Sequence, residues 1–410
     1  MDKSKSNKKK RVKKWCKPRH RFFRWFINTL LFFYFKLLYH LKLRKFEDNK
    51  RQCIILFNHQ TPLDQFMLTR VFKNPIYFIA SEDLFSNGWL SKVIVHSTAP
   101  IPIKKQTGDP RAVINCIRIA KEGGTIALSP EGNRTYSGKT EFMNPTIVPL
   151  VKKLGLPLAL FRIEGGYGVQ PRWSNYIRKG PMEAYVSRMI EPEEYKAMTD
   201  EELMQIITKE LYVNEGCVDN EYHHKRLAEN MERVFYVCPE CGLAKFTSKN
   251  DIVKCTSCGM EIRYLPSKEL KGVGFDFPFR FTTDWYDYQS DFVSKLDIEN
   301  MNEKPLFDDV ATISEVFLYK NKKKLYKNAK IHLYTDKIVI EPENSEAITF
   351  SFDEATSVTV LGRSKVDVYI DNRVFQLKGD RSFNGLKYVN FFTKYRNLKK
   401  GDKYAKFLGL

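Results

Sequence analysis

A histidine followed five positions later by an aspartate, in Asn58-His59-Gln60-Thr61-Pro62-Leu63-Asp64, directly succeeds the apolar run Gln52–Phe57. Across a strand-to-helix turn the Asp64 carboxylate folds back onto one imidazole nitrogen. The other ring nitrogen then takes a proton from a hydroxyl, the base-plus-orienter arrangement that activates a nucleophile. An imidazole pKa near 6.5 suits that exchange. The same residues have a plainer reading, with Thr61 as a helix cap, Pro62 at the first helical position, Asp64 near the orphan amides and His59 structural. The second reactive segment is Ser129-Pro130-Glu131-Gly132-Asn133-Arg134, at the end of another apolar run. Arg134 offers a planar fork of donors for a phosphate. Gly132 permits close backbone approach, and Glu131 orients Arg134 or accepts from a substrate hydroxyl. Alone, this segment reads first as a turn with a local Glu–Arg pair.

Four of the eight cysteines form two close pairs, Cys238-Pro-Glu-Cys241-Gly and Cys255-Thr-Ser-Cys258-Gly. Two such knuckles supply four thiolates for a tetrahedral zinc site, closed and therefore structural, with a glycine after each pair for the tight turn. A redox or disulfide role is the competing reading. Cys16, Cys53, Cys116 and Cys217 are scattered, and a chain of 410 residues with so few cysteines is no secreted disulfide framework. The pattern points to a reducing compartment. His223 and His224 are near the knuckles, but adjacent histidines converge on one metal with difficulty.

The elements that hold these residues follow from the hydrophobic pattern. Short apolar runs at 52–57, 76–80, 125–129, 146–150 and 157–163 read as strands, with helices at 63–72 and 110–121, the latter ended by Gly123-Gly124. Alternation of strand and helix predicts an α/β domain over residues 45–215, with ligands received in loops at strand ends. Residues 192–232 are charged and helical in pattern, and 216–235 form a helical linker into a zinc ribbon at 236–264. A second linker, 265–310, leads to residues 311–400, where seven short alternating runs separated by Asp, Asn, Gly and Pro mark an antiparallel sheet. Ser382 then caps an amphipathic helix over Phe383–Leu398. Strands followed by one helix resemble the pleckstrin-homology or GRAM-type barrel.

The length allows two or three domains. A hydrophobic fraction of 43% argues against disorder, and a formal net charge of +20 favours anionic partners. Much of that charge precedes an aromatic-rich stretch, Phe22–Leu43, interrupted by Arg24, Asn28, Lys36 and His40. No secretory signal is evident, and the stretch is too broken for a comfortable span. Residues 1–44 therefore read as a basic tail and an amphipathic helix lying in the lipid interface, drawn to anionic lipid on the cytoplasmic leaflet.

Taken together, the boxes resemble the glycerol-phosphate acyltransferases, especially the 1-acylglycerol-3-phosphate acyltransferases. Asn58, His59 and Asp64 match their Asn-His-x4-Asp box. Pro130, Glu131, Gly132 and Arg134 match their Pro-Glu-Gly-x-Arg box. Ile101-Pro102-Ile103-Lys104-Lys105 matches an Ile-Pro-Ile-x-Arg segment, with Lys105 in place of the usual arginine, and Ile147-Val148-Pro149-Leu150 a Val-Pro-rich strand. The resemblance covers residues 22–215. It implies that His59 and Asp64 are catalytic and that Asn58, Lys105, Glu131, Gly132 and Arg134 bind substrate. It implies direct transfer of an acyl group from acyl-CoA or acyl-carrier protein to a lysophospholipid hydroxyl, giving phosphatidic acid at a membrane surface. Cys53 reads as a small core residue. Two other classes compete. A zinc ribbon with a basic surplus fits a nucleic-acid-binding protein, and the C-terminal barrel fits a lipid tether. The ordered boxes have no reason to exist in either, so no nucleic acid is expected as partner.

Overall fold

The computed structural model describes residues 14–104, 109–301, 303–402, 404–405 and 408–409, and of residues 33–38 only the backbone. The side chains of Phe33, Tyr34 and Phe35, part of the expected aromatic face, and the whole of Lys105 lie outside that set. The first sheet has seven strands: β1 (Leu41–Leu43), β2 (Ile54–Phe57), β3 (Ile76–Ser81), β4 (Ile101–Ile103), β5 (Thr125–Leu128), β6 (Leu158–Glu164) and β7 (Met182–Ile190). They run in the order β1-β7-β6-β2-β5-β3-β4. All neighbours are parallel except β6 and β7.

Helices α1 (Pro18–Leu38), α2 (Asp64–Val71), α3 (Trp89–Thr98), α4 (Pro110–Lys121), α5 (Ile147–Leu154), α6 (Gly166–Val169), α7 (Pro192–Lys196) and α8 (Asp200–Leu211) flank it. β2 is an unbroken apolar run because both of its faces are covered. Ile55 and Phe57 pack with Met67, Leu68 and Val71 of α2. Ile54 and Leu56 turn the other way, toward Val148 and Val151 of α5 and Leu203, Ile207 and Leu211 of α8. Residues 146–150, expected as a strand, instead open α5. Pro149 stands in the first turn, where a missing amide costs no helical bond. Ile147, Val148 and Val151 then reach the core at helical spacing.

α1 lies against α2 and α3. Asn28 Nδ2 and Arg24 Nη1 donate to the Thr69 carbonyl at 2.8 and 3.1 Å, and Arg19 Nε to that of His96 at 3.0 Å. Phe22, Trp25, Phe26 and Leu30 of α1 are exposed, as are Trp89, Leu90 and Val93 of α3. Among the described residues no helix is long and apolar enough to cross a membrane.

The stretch expected as a helical linker, 216–235, holds one 3-10 turn, Met231–Arg233. Its apolar spacing is helical, but tertiary partners claim its backbone: Tyr222 N donates to Pro266 O at 2.9 Å and Ala228 N to Asn250 O at 2.8 Å. Asn230 is left-handed, at φ 79°. The ribbon follows as a pair, β8 (Val237–Cys238) and β9 (Gly242–Leu243), and a sheet of β10 (Phe246–Lys249), β11 (Ile252–Cys255), β12 (Glu261–Tyr264) and β13 (Leu270–Gly272). The expected linker 265–310 is ordered, with β13 and then α9 (Thr282–Lys295), because its aromatics have a core to fill. Trp285 is fully buried, stacked on Phe235 at 3.7 Å, and donates to Val237 O at 3.0 Å.

Seven strands follow: β14 (Phe307–Val316), β15 (Lys323–Leu333), β16 (Lys337–Glu341), β17 (Ile348–Ser351), β18 (Ala355–Leu361), β19 (Lys365–Ile370) and β20 (Arg373–Gly379). Their order is β17-β16-β15-β14-β20-β19-β18, antiparallel throughout. The final helix, α10 (Leu386–Lys399), is capped by Asn384, whose Oδ1 accepts from Leu386 N at 3.0 Å and Lys387 N at 3.4 Å. Ser382, the expected cap, bonds Asp380 instead. α10 is not the two-faced helix expected, since most of its residues are buried. The C-terminal sheet, α9, α10 and ribbon share one continuous core that also takes in Tyr136, Tyr167 and Trp173 from the first domain.

Candidate active site

β2 and β5 are parallel neighbours in register, Leu56 beside Leu128. Their C-terminal ends therefore open on the same edge of the sheet. The histidine loop and the arginine loop, some seventy residues apart in sequence, leave side by side for that reason. β3 flanks β5 in parallel, and β4 flanks β3. Asp83 and Lys104 thus reach the same edge.

His59 Nδ1 lies 2.7 Å from Asp64 Oδ2. The same oxygen accepts from Gln60 N at 2.7 Å, and Oδ1 accepts from Thr61 N at 2.9 Å and Thr61 Oγ1 at 2.6 Å. The fully buried carboxylate is therefore met on every side, and it fixes both the imidazole and the loop. The plainer cap reading is displaced: α2 starts at Asp64 itself, with Leu63 in the cap position. Asn58 is not at the substrate surface. It is fully buried, and its amide pairs with the Ile163 backbone, donating to the carbonyl at 2.7 Å and accepting from the N–H at 2.7 Å. It pins β2 to β6 and aims His59.

Glu131 does not pair with Arg134. Its Oε1 accepts from His59 N at 2.9 Å and its Oε2 from Glu141 N at 3.3 Å. Burial pushes its pKa up to about 8. Gly132 turns the loop at φ 67°. Arg134 is about nine-tenths buried, and its Nη1 has no hydrogen-bond partner. Burial, then the like charges of Arg172 and Arg363, lower its pKa to about 9. His59, Glu131, Gly132 and Arg134 line one cavity of about 1550 Å³, together with Lys104. A base and an unsatisfied guanidinium facing one space can deprotonate a hydroxyl on an anionic molecule.

Residues 40–161 match the family model described as Acyltransferase. This chain carries an acyltransferase-family domain. The resemblance read from the boxes is borne out by that match and by a relative, the chloroplastic 1-acyl-sn-glycerol-3-phosphate acyltransferase BAT2 of Brassica napus. The two are 24% identical over 132 residues, 30% of this chain and 36% of that protein. The match thus spans about a third of the curated relative's length. A solved structure of the 1-acyl-sn-glycerophosphate (LPA) acyltransferase PlsC from Thermotoga maritima is 18% identical. It covers 47% of this chain and 91% of its own, at a TM-score of 0.36, too low to carry a structural argument.

Around this cavity stand residues that the sequence did not flag. Arg172 is fully buried over the Tyr136 ring, 4.3 Å from its centroid, and donates to Arg134 O at 2.8 Å and Asn133 Oδ1 at 3.3 Å. It lies in Gln170-Pro171-Arg172-Trp173, a stretch with no periodicity or spacing to mark it. Asp83 accepts from Lys322 and Lys365 and, at 2.9 Å, from Gln376 Nε2, tying the acyltransferase domain to the C-terminal strands.

The four paired cysteines converge as expected. Cys238 and Cys258 sulfurs are 3.7 Å apart, Cys241 and Cys255 3.6 Å, and all four lie within 4.8 Å of one another. Sulfurs about 2.3 Å from a central tetrahedral zinc would be roughly 3.8 Å apart, so the cluster fits such an ion. His223 and His224 are not part of it.

Proposed function

We propose that this chain is a 1-acylglycerol-3-phosphate O-acyltransferase that uses acyl-CoA or acyl-carrier protein and forms phosphatidic acid for phospholipid synthesis. The observation that supports it best is the His59–Asp64 pair opening on the same cavity as the buried, unpartnered Arg134 nitrogen. His59 takes the proton of the glycerol hydroxyl as that oxygen attacks the thioester carbonyl. A C–O bond forms, the C–S bond breaks, and the proton on imidazole passes to the departing thiolate. Asp64 holds the ring and stabilises its charge. Arg134 and Lys105 grip the acceptor phosphate, and Glu131 and Gly132 shape the loop against which the acceptor lies. Acyl-transfer assays on lysolipid acceptors with both donors test the assignment. We expect His59→Ala to lower turnover by about 10³-fold, within the range of general-base catalysis. Residual activity near wild type would remove it, and salt-dependent duplex DNA binding without vesicle binding would favour a nucleic-acid role.

Membrane attachment from the cytoplasmic face, without spanning, is supported by the exposed apolar residues of α1 and α3 beside the basic N-terminal segment. Strand order, two meanders joined through β14 and β20, and the closing α10 support a pleckstrin-homology or GRAM-like C-terminal domain. Cys238, Cys241, Cys255 and Cys258 would hold a structural zinc, whose bonds would clamp the ribbon together. Metal analysis of the purified chain should find one zinc per molecule, and none after Cys241→Ser with Cys255→Ser.

A further inference from the structure

The cavity that holds His59 and Arg134 is a cleft between two domains. On the side facing them, β18 and its turn supply Leu361 and Gly362, and α10 supplies Phe392, Arg396 and Lys400. These three residues of α10 recur every fourth position and so form one stripe along the helix. Phe392 is buried, Arg396 half-buried and Lys400 exposed, so the stripe runs from packed core toward solvent. Among the described residues, neither the Arg396 nor the Lys400 side chain has a hydrogen bond or an ion pair. The carboxylates that line the same cavity are engaged elsewhere. Asp83 holds Lys322 and Lys365. Asp109 accepts from the amides of Lys104 at 3.2 Å and Arg111 at 3.0 Å, and Glu131 from those of His59 and Glu141. The helix dipole favours cations in a last turn but does not choose their face. Lys399, of the same turn, lies 5.3 Å from the centroid of the Tyr395 ring and does not line the cavity.

The place of the stripe follows from how α10 begins. Arg172 Nε donates to Gly362 O at 3.1 Å and Nη2 to Val360 O at 3.3 Å, while Nη1 holds the Arg134 carbonyl at 2.8 Å. The end of β18 is thereby pinned to the arginine loop. Gly385, just before α10, packs against Val360 of that strand. At about 1.5 Å per residue, Arg396 and Lys400 stand roughly 16 and 22 Å along the helix from this corner. The cleft thus has two cationic stations, Arg134 at the corner and the α10 pair farther out. An acceptor lysolipid carries its phosphate on the same glycerol as the attacking hydroxyl, which suits the corner. The outer station fits a molecule whose phosphates are separated from its reacting carbon by a long arm. Coenzyme A thioesters are built that way, with pantetheine between the sulfur and a diphosphate and ribose phosphate. A nucleotide enters a cleft where Arg396 is half-buried, whereas a folded carrier protein sends in only its prosthetic arm.

We propose that Arg396 and Lys400 of α10 bind the phosphates of a coenzyme A thioester, so that the C-terminal domain holds the donor's head while its thioester reaches His59. The inference rests on the acyltransferase reading and names the donor within it.

The test uses the full chain, lysophosphatidic acid as acceptor, and three donors: acyl-CoA, acyl-pantetheine and acyl-carrier protein. Arg396→Gln should raise KM for acyl-CoA about 10- to 100-fold, the worth of one charge-assisted bond. The more exposed Lys400→Gln should raise it by less, and Arg396→Lys should recover part of the loss. The acceptor KM and the rate with acyl-pantetheine, which has the thioester but no nucleotide, should stay as in wild type. An unchanged KM for acyl-CoA overturns the proposal. Equal loss with acyl-pantetheine overturns it too, as the mark of a merely structural residue, and so does a rise in the acceptor KM. Loss confined to acyl-carrier protein would assign the stripe to that protein's surface and also overturn it. If wild type acylates the acceptor from no donor, the acyltransferase reading fails. Thermal stabilisation by adenosine 3′,5′-bisphosphate, present in wild type and lost in Arg396→Gln, still decides the phosphate station; its absence in wild type would sink it.

Discussion

The histidine loop and the arginine loop leave adjacent ends of one sheet, yet they are finished to different degrees. In the first, Asp64 accepts four hydrogen bonds, and its partners are the loop itself and His59. In the second, Arg134 keeps a buried nitrogen without a partner beside two further guanidinium groups. On the proposed reading, the His59–Asp64 pair is assembled before any substrate arrives, whereas Arg134 is completed by an anion from outside. A carboxylate whose oxygens are all met stabilises the fold, although the neutral Gln60 amide of the same loop is buried without a partner. A loop with an unmet charge destabilises it and binds.

That contrast gives opposite signs for two substitutions. Asp64→Asn should act hardest. The amide cannot accept from all four donors, so His59 loses its orientation, and acyl transfer should fall by about 10³-fold. Donors left facing a donor should also cost on the order of 3 kcal/mol of folding stability. Arg134→Met should lower kcat/KM for the acceptor by about 10²-fold. Unlike Asp64→Asn, it should stabilise the ligand-free chain, by roughly 1 kcal/mol or more, because an uncompensated buried charge leaves. Urea denaturation of both variants reads the two signs. Destabilisation by Arg134→Met would mean that the guanidinium is satisfied in the folded chain, and the contrast would be lost.

Much of the first loop was legible in the sequence because its geometry is local. His59 and Asp64 are five residues apart, and a strand-to-helix turn suffices to join them. The arginine loop was legible as a box but not as a charge state. Arg172 reaches the Arg134 carbonyl only through tertiary packing, from the loop after α6, and Arg363 of the C-terminal domain acts on Arg134 as a like charge; no spacing announces either. Asn58 shows the reverse. It reads as part of a reactive box, yet its amide is spent on the Ile163 backbone. Seven strands in the last domain followed from alternation, which needs only a half-buried sheet. The stretches taken as linkers did not, because residues 216–235 and 265–310 gain their order from the ribbon and from Trp285 rather than from local pattern.

Glu131 joins the two loops, and its charge decides how sharp their contrast is. If it were ionised, Arg134 would have an anion in its own loop besides Asp64. Desolvation instead pushes its pKa from 4.5 to about 8, so near neutral pH the folded chain keeps the proton that the unfolded chain has released. A raised pKa gives stability that is complete below about 4.5 and declines as pH climbs to about 8. Glu131→Gln, neutral at every pH, should flatten that decline. Glu141 has the same sign, its pKa raised to about 7 by burial, so a residual slope remains. Urea midpoints at pH 5 and pH 8 make the comparison, and the effect is the smallest of those named because it is a difference of slopes. Parallel slopes in wild type and variant would mean an ionised Glu131, a counterion within the arginine loop, and a cation cluster less dependent on its substrate.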